Sequence, residues 1–372
     1  MTEKKVDVMF GKIKQCESAC MENAAYMSDF AKKQNDNFKK YISDKEIKKD
    51  TTPLYETPHE VIYSEGGMRI LSYTKDCRHN TPLLIIPSLI NRYYILDLME
   101  DVSFVKFLKE KKVPVYMIDW GNPDSSHNNL TLGHYALKWI DRAVKKVLRH
   151  SNTQKATLMG YCMGATMTAC YIATNPDKVA GFISLAAPYD FSSDDVLSKM
   201  ARNIDVEKIT SLTNAVSPEN MQFGFLLAQP TSFYYKMKSL YGNGADFKRN
   251  NTFVHLERWL NDNVAFPGEA YKEYIVKLYK ENQLINGKLE LDNVPVHLEN
   301  INVPVVNVIA KKDNIVPENA ALSLNKKVSS EINDRIEIDA GHIGVIMGRK
   351  AKDAWEKMYE WYSKNTDVKE KI

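Results

Sequence analysis

An apolar stretch at 156–160 runs into Gly160-Tyr161-Cys162-Met163-Gly164 and then into a helix-like run ending near residue 175. This strand–turn–helix joint constrains the fold more than any other part of the chain. A potential nucleophile between two glycines, at the end of a strand and the start of a helix, sits on a sharp and strained turn. A Cβ on either neighbour would clash with the strand or the helix, which is why both are glycine. The helix that begins behind Cys162 favours a thiolate there, and the Met163 N–H is placed to stabilise an oxyanion.

The rest of the chain supplies the sheet that such a joint requires. EVIYS and MRILSY flank Gly66-Gly67 and read as a hairpin. LLIIP (83–87) is a short apolar strand, about 96–111 reads as a helix, and VPVYMIDW (113–120) is the next strand. Residues 131–149 place Leu132, Tyr135, Ala136, Trp139, Ile140, Ala143, Val144 and Val147 on one helical face. Strands follow at KATLMG, AGFISLAAP (180–188), VPVVNVIA (303–310) and RIEIDA (335–340), with a last helix at about 350–363. Strands alternating with helices predict an α/β fold with a doubly wound, mainly parallel sheet covered on both faces.

The alternation stops between Pro188 and about Asn302. More than about 100 residues is too long for a loop in a compact domain. The segment is helical in pattern and aromatic-rich (Phe223, Phe225, Phe233, Tyr234, Tyr235, Tyr241, Trp259, Tyr271, Tyr274, Tyr279), so it is expected to be an inserted cap with these rings as its own core. The expected organisation is an N-terminal helix and connector at 1–52, a core at 53–188 and 303–372, and a cap at 189–302.

Two later strand ends carry the partners a nucleophile needs. VPVVNVIA ends in Lys311-Lys312-Asp313, and RIEIDA ends in Gly341-His342-Ile343-Gly344. The order nucleophile, acid, histidine is that of the α/β-hydrolases. The expected triad is Cys162, Asp313 and His342: His342 takes the thiol proton, and Asp313 orients and supports the imidazolium. Asp339 is too near His342 in sequence for this geometry, and Asp119, at an earlier strand end, is the second choice for the acid. The other seven histidines (59, 79, 127, 134, 150, 255 and 297) lack a strand-end setting and read as surface or packing residues. A second oxyanion donor is expected from the turn after LLIIP, through the backbone N–H of Leu89 or of Ser88.

Composition excludes some classes. Fifty basic against 47 acidic side chains leave a net charge of +3, which implies no nucleic-acid partner. The charged N-terminus carries no apolar signal region, and no run approaches the roughly 18 apolar residues of a membrane span. The odd count of five cysteines fits a reducing cytoplasm, and Cys16 and Cys20 have no ligand cluster to make a zinc site. They lie instead on an apolar seam through 5–31, a helix that either packs on its own domain or docks a partner subunit. Residues 32–52 read as a solvated connector.

Sulfur at the elbow is itself informative. An acyl group moved from a thioester to a serine would fall to a less reactive oxygen ester. On cysteine it remains a thioester, still activated for attack by an alcohol, and a covering cap that excludes water would favour that transfer.

Against this background the chain resembles the polyhydroxyalkanoate synthases over about residues 55–362. The resemblance rests on Gly160-Tyr161-Cys162-Met163-Gly164 and on INRYYILDL (90–98), YMIDWGNP (116–123), ISLAAPYDF (183–191), GEAYKEYIVKLYKENQLINGKLEL (268–291), AKKDNIVP (310–317) and GHIGVIMG (341–348). It implies polymerisation of (R)-3-hydroxyacyl-CoA, short-chain units such as 3-hydroxybutyryl-CoA, into polyester at cytoplasmic granules. Coenzyme A is then a leaving group rather than a cofactor, no metal is required, and the family's Cys, Asp and His fall on Cys162, Asp313 and His342. In the family the Asp is also discussed as activating the 3-hydroxyl of the incoming unit. Ala165 stands where the family often has a further glycine, and it is small enough for the same close packing. The short stretch ahead of the core resembles the two-subunit type III synthases, with type IV the alternative, and implies a separate helical partner subunit or a homodimer. The other readings of the same residues are a cysteine hydrolase similar to the dienelactone hydrolases, which share a G-Y-C box, and a non-catalytic scaffold on a granule or in a complex.

Overall fold

The structure is a computed structural model that describes residues 56–211, 214–228 and 247–366. The chain divides into two compact units, Met1–Pro53 and Leu54–Ile372. The expected helix at 5–31 and the connector at 32–52 fall in the first and lie outside the described residues, as do the cap aromatics Phe233, Tyr234, Tyr235 and Tyr241.

An eight-stranded sheet carries the second unit. Its strands are β1 (Glu60–Glu65), β2 (Met68–Ser72), β3 (Leu83–Ile86), β4 (Val115–Asp119), β5 (Ala156–Tyr161), β6 (Val179–Leu185), β7 (Val305–Ala310) and β8 (Asn333–Ile338). Their spatial order is β1-β2-β4-β3-β5-β6-β7-β8. β1 and β2 form the antiparallel hairpin read from the sequence, β2 joins β4 antiparallel, and every later pairing is parallel. β3, β4 and β5 are buried along their whole length, the mark of strands covered on both faces. The strand period divides them: Leu84 and Ile86 enter one core, Leu83 and Ile85 the core on the opposite face.

The helix expected over 96–111 is shorter than its apolar rhythm suggests. Only α1 (Phe104–Glu110) is helical; Tyr93–Leu96 makes a 3-10 turn, and Asp97–Met99 pairs with Val102–Ser103. Asp97 causes the break. Its buried carboxylate accepts the Thr57 N–H and hydroxyl, each at 2.7 Å, and the Ser103 hydroxyl. Ser103 Oγ accepts the Lys106 N–H at 2.8 Å and so caps α1. The amphipathic stretch at 131–149 begins as a π-turn (His134–Trp139), with the Thr131 hydroxyl accepting the His134 N–H at 2.9 Å, and continues as α2 (Ile140–Ser151).

After the elbow comes α3 (Met163–Thr174), buried on all sides except at its last residue. Between β6 and β7 lie α4 (Val196–Asn203), α5 (Val206–Thr210), α6 (Pro218–Ala228), α7 (Phe247–Asn261) and α8 (Gly268–Glu273), the last running on as a π-turn (Tyr274–Lys280). Phe191 meets Tyr279 edge-on with ring centroids 4.9 Å apart, and Tyr274 packs against Phe191, Phe266 and Tyr279. Three helices follow: α9 (Glu318–Leu322), α10 (Gly344–Met347) and α11 (Ala351–Asn365).

Candidate active site

Cys162 links β5 to α3 at φ +53° and ψ −129°, a conformation that L-residues rarely adopt. Its N–H donates to Leu185 O at 2.9 Å, and its own carbonyl accepts the Ala165 N–H at 2.9 Å. The flanking glycines make the strained joint possible. A Cβ on Gly160 would lie 2.1 Å from the Ala165 Cα; one on Gly164 would lie 2.3 Å from Ile86 O and 2.5 Å from Pro87 O. The helix therefore sits directly on the end of β3. Cys162 itself remains partly exposed.

β7 and β8 bring the expected acid and base, Asp313 and His342, to this point. The loops beyond them are joined by Lys311 N–H to Ile338 O and Lys312 N–H to Ala340 O, both at 2.9 Å. Gly341 allows the approach, since a Cβ there would stand 3.3 Å from Lys312 O. His342 Nδ1 lies 2.7 Å from Asp313 Oδ2, and these side chains are 9% and 1% exposed. The other carboxylate oxygen, Oδ1, accepts the N–H groups of Ile315 and Val316 at 2.8 Å each. Asp313 is thus held as an oriented acceptor.

The charge on Cys162 acts on the His342 ring, and with Nδ1 on Asp313 the ring nitrogen left for the sulfur is Nε2. Burial works against a charged ring. The charge on Cys162, then the hydrogen bond to Asp313, outweigh it and raise the His342 pKa to about 10. Tyr161 stacks on the imidazole with ring centroids 5.3 Å apart, a contact not anticipated from the sequence although Tyr161 lies inside the elbow motif. Across the site, burial foremost and also the charge on Cys162 push up the hydroxyl pKa values of Tyr274 and Tyr279, so both rings lie within electrostatic reach of the sulfur.

The other acids are engaged elsewhere. Asp339 pairs with Lys312 at 2.8 Å. Asp119 accepts Arg69 at 2.7 Å and the Gly121 N–H at 2.9 Å. Among the histidines, His127 contacts Gly66 O at 2.7 Å and His150 contacts the Tyr116 hydroxyl at 2.9 Å. The turn after β3 adjoins the elbow through Pro87. Leu89 and Met163 pack in one core, and among the described residues the buried Ser88 hydroxyl has no hydrogen-bond partner. Among the described residues no group of three or more His, Cys, Asp or Glu side chains is placed to hold a metal, and no helix is long and apolar enough to cross a membrane.

A strand order of 1-2-4-3-5-6-7-8, with Cys162 after β5 and an Asp–His pair after β7 and β8, defines an α/β hydrolase. The family profile described as "alpha/beta hydrolase fold" matches residues 81–348, and the chain belongs to that superfamily. A second profile, "Poly-beta-hydroxybutyrate polymerase (PhaC) N-terminus", matches residues 16–108. Three proteins named poly(3-hydroxyalkanoate) polymerase subunit PhaC are similar along most of the chain. That of Haloferax mediterranei is 34% identical over 84% of this chain and 65% of its own length. That of Haloarcula marismortui is 31% identical over 87% and 71%, and that of Allochromatium vinosum 30% identical over 82% and 88%. Within the superfamily, the chain belongs to the poly(3-hydroxyalkanoate) polymerases, enzymes of the acyltransferase type. Solved structures share the fold alone. One is DcsB in complex with its substrate analogue (TM-score 0.54, 13% identity, 84% of this chain and all of that one). Another is the putative non-heme bromoperoxidase BpoC of Mycobacterium tuberculosis (0.51, 13%, 83% and 98%).

Proposed function

We propose that the protein polymerises (R)-3-hydroxyacyl-CoA, short-chain units such as 3-hydroxybutyryl-CoA, into polyhydroxyalkanoate through a thioester on Cys162. The observation that carries the reading is a sulfur nucleophile on a strained elbow, within electrostatic reach of a histidine whose Nδ1 is held by a buried carboxylate. His342 takes the proton of the Cys162 thiol, and the sulfur attacks the thioester carbonyl. The oxyanion is stabilised by the N–H groups of Met163 and Leu89, with Ser88 the alternative to Leu89. The C–S bond to coenzyme A breaks, and the leaving thiolate takes the proton from His342. The hydroxyl of a second unit or chain then gives its proton to the same imidazole and attacks the acyl-Cys162, forming the ester and freeing the sulfur. Asp313 keeps the ring oriented and its charged form favoured. Coenzyme A is the leaving group, and no step calls for a metal.

The insertion at 189–302 is proposed to cap the site, supported by the nearness of Tyr274 and Tyr279 to Cys162. A separate helical partner subunit, or a homodimer, and attachment to polymer granules complete the proposal. The similarity to proteins named as PhaC subunits supports the first of these. The test is incubation with 3-hydroxybutyryl-CoA, with and without candidate partner subunits, following both CoA and polymer. CoA release with polymer is expected and is lost in Cys162→Ala. Release of free hydroxy acid alone would make the protein a hydrolase.

A further inference from the structure

The turn that follows β3 is fastened to the end of α7 by five hydrogen bonds. Asp262 stands one residue beyond that helix, whose end is closed by the Asp262 N–H on Trp259 O at 3.1 Å. Its carboxylate grips two side chains at once: Oδ2 accepts the Tyr94 hydroxyl at 2.7 Å, and Oδ1 accepts Arg92 Nη2 at 3.2 Å. Arg92 Nε adds a bond to the Asp262 carbonyl at 3.0 Å. The buried Trp259 indole N–H returns to Arg92 O at 2.8 Å, and Asn91 Nδ2 donates to Asn263 Oδ1 at 2.8 Å. These contacts join residues about 170 positions apart. They bear on 91–94, one residue beyond the 88–89 stretch to which the second oxyanion donor is assigned.

We infer that Asp262 is a positioning residue for acyl transfer: by clamping Arg92 and Tyr94 to the end of α7, it sets the oxyanion turn against Cys162. The inference deepens the polymerase reading and rests on it. The Arg92–Asp262 pair is partly exposed, with side chains 19% and 41% accessible, so its worth as an ion pair is small. Its effect is geometric. One carboxylate taking a guanidinium N–H and a hydroxyl, with Nε of the same guanidinium on the Asp262 carbonyl, fixes the backbone between them, and the Trp259 indole fixes it again from the carbonyl side. The peptide at 88–91 then has no freedom to swing its N–H away from the position the oxyanion will occupy. The end of α7 and the oxyanion turn are thus held to each other.

The test separates two reactions of the same sulfur. Acylation by 3-hydroxybutyryl-CoA passes through a tetrahedral oxyanion. Alkylation by iodoacetamide forms an S–C bond with loss of iodide and passes through none. In Asp262→Ala, single-turnover CoA release is expected to fall about 10-fold or more, while alkylation of the Cys162 peptide, followed by mass spectrometry, keeps its rate. Tyr94→Phe removes one hydroxyl and supplies a milder version of the same split should the alanine variant not fold. The double variant should be no slower than Asp262→Ala, because both changes act on one clamp. Unchanged acylation in both single variants, or acylation and alkylation falling together, overturns the inference. CoA release that survives Cys162→Ala overturns the reading beneath it instead.

Discussion

His342 Nδ1 lies 2.7 Å from Asp313 Oδ2, and the other oxygen of that carboxylate is held by the two backbone N–H groups of Ile315 and Val316. The carboxylate is therefore oriented before it meets the imidazole. An amide in its place would find the same backbone donors but would present no charge to the ring. Asp313→Asn should slow acylation of Cys162 on the order of 10³-fold with little change in the melting temperature. A rate within a few-fold of the parent would remove Asp313 from the triad.

The same pair gives a titration with a definite sign. Burial lowers the His342 pKa, and the charge on Cys162 is the largest influence raising it, with Asp313 next; the result is about 10. Deleting the sulfur leaves burial less opposed. In Cys162→Ala, the His342 imidazole followed by NMR should titrate lower than in the parent. In the parent, a folded pKa above the unfolded value means that this histidine's contribution to stability is complete below the unfolded pKa. It is lost as pH rises from there through about 10. An unmoved titration in the alanine variant would show that Cys162 does not interact with the ring.

Glycine at the elbow is demanded by space. Gly160→Ala and Gly164→Ala would set a Cβ 2.1 Å from a backbone carbon and 2.3 Å from a carbonyl oxygen. Each should cost about 3 kcal/mol or more, read as a fall in the denaturant midpoint. Gly224, inside α6, has nothing within 4 Å of an added Cβ, so Gly224→Ala should be neutral or stabilising by about 0.5–1 kcal/mol. Equal effects at all three positions would contradict the packing described.

Asp119 ends a neighbouring strand but serves Arg69 and Gly121. Asp119→Asn should lower stability by about 1–2 kcal/mol and leave the acylation rate of Cys162 within about 2-fold, because the base already has its acid. A collapse of the rate with stability intact would reassign the acid.

The sheet was legible because β3, β5 and β7 are short apolar runs between clear breaks, and each candidate site residue stands just past a strand. Asp313 and His342 could be singled out from those strand ends alone; the 2.7 Å between them required the Lys311 and Lys312 amides that join the two loops. The misread helix at 96–111 has a specific cause. Its apolar spacing is helical, but one carboxylate, Asp97, finds three donors in Thr57 and Ser103 and breaks the run. No local pattern reports a bond to a residue 40 positions away. The clamp at Asp262 was invisible for the same reason: Tyr94 and Trp259 read as ordinary core rings, and only the fold shows where the hydroxyl and the indole N–H point.

Because α3 rests on β3 with no Cβ between Gly164 and the Ile86 carbonyl, the height of residue 162 above the sheet is set by hard contact between backbones. The scaffold cannot sink to accommodate a larger atom. The extra reach of sulfur over oxygen is therefore carried wholly outward, away from the sheet. A serine placed at 162 would leave the backbone frame unaltered and hold its oxygen closer to the sheet.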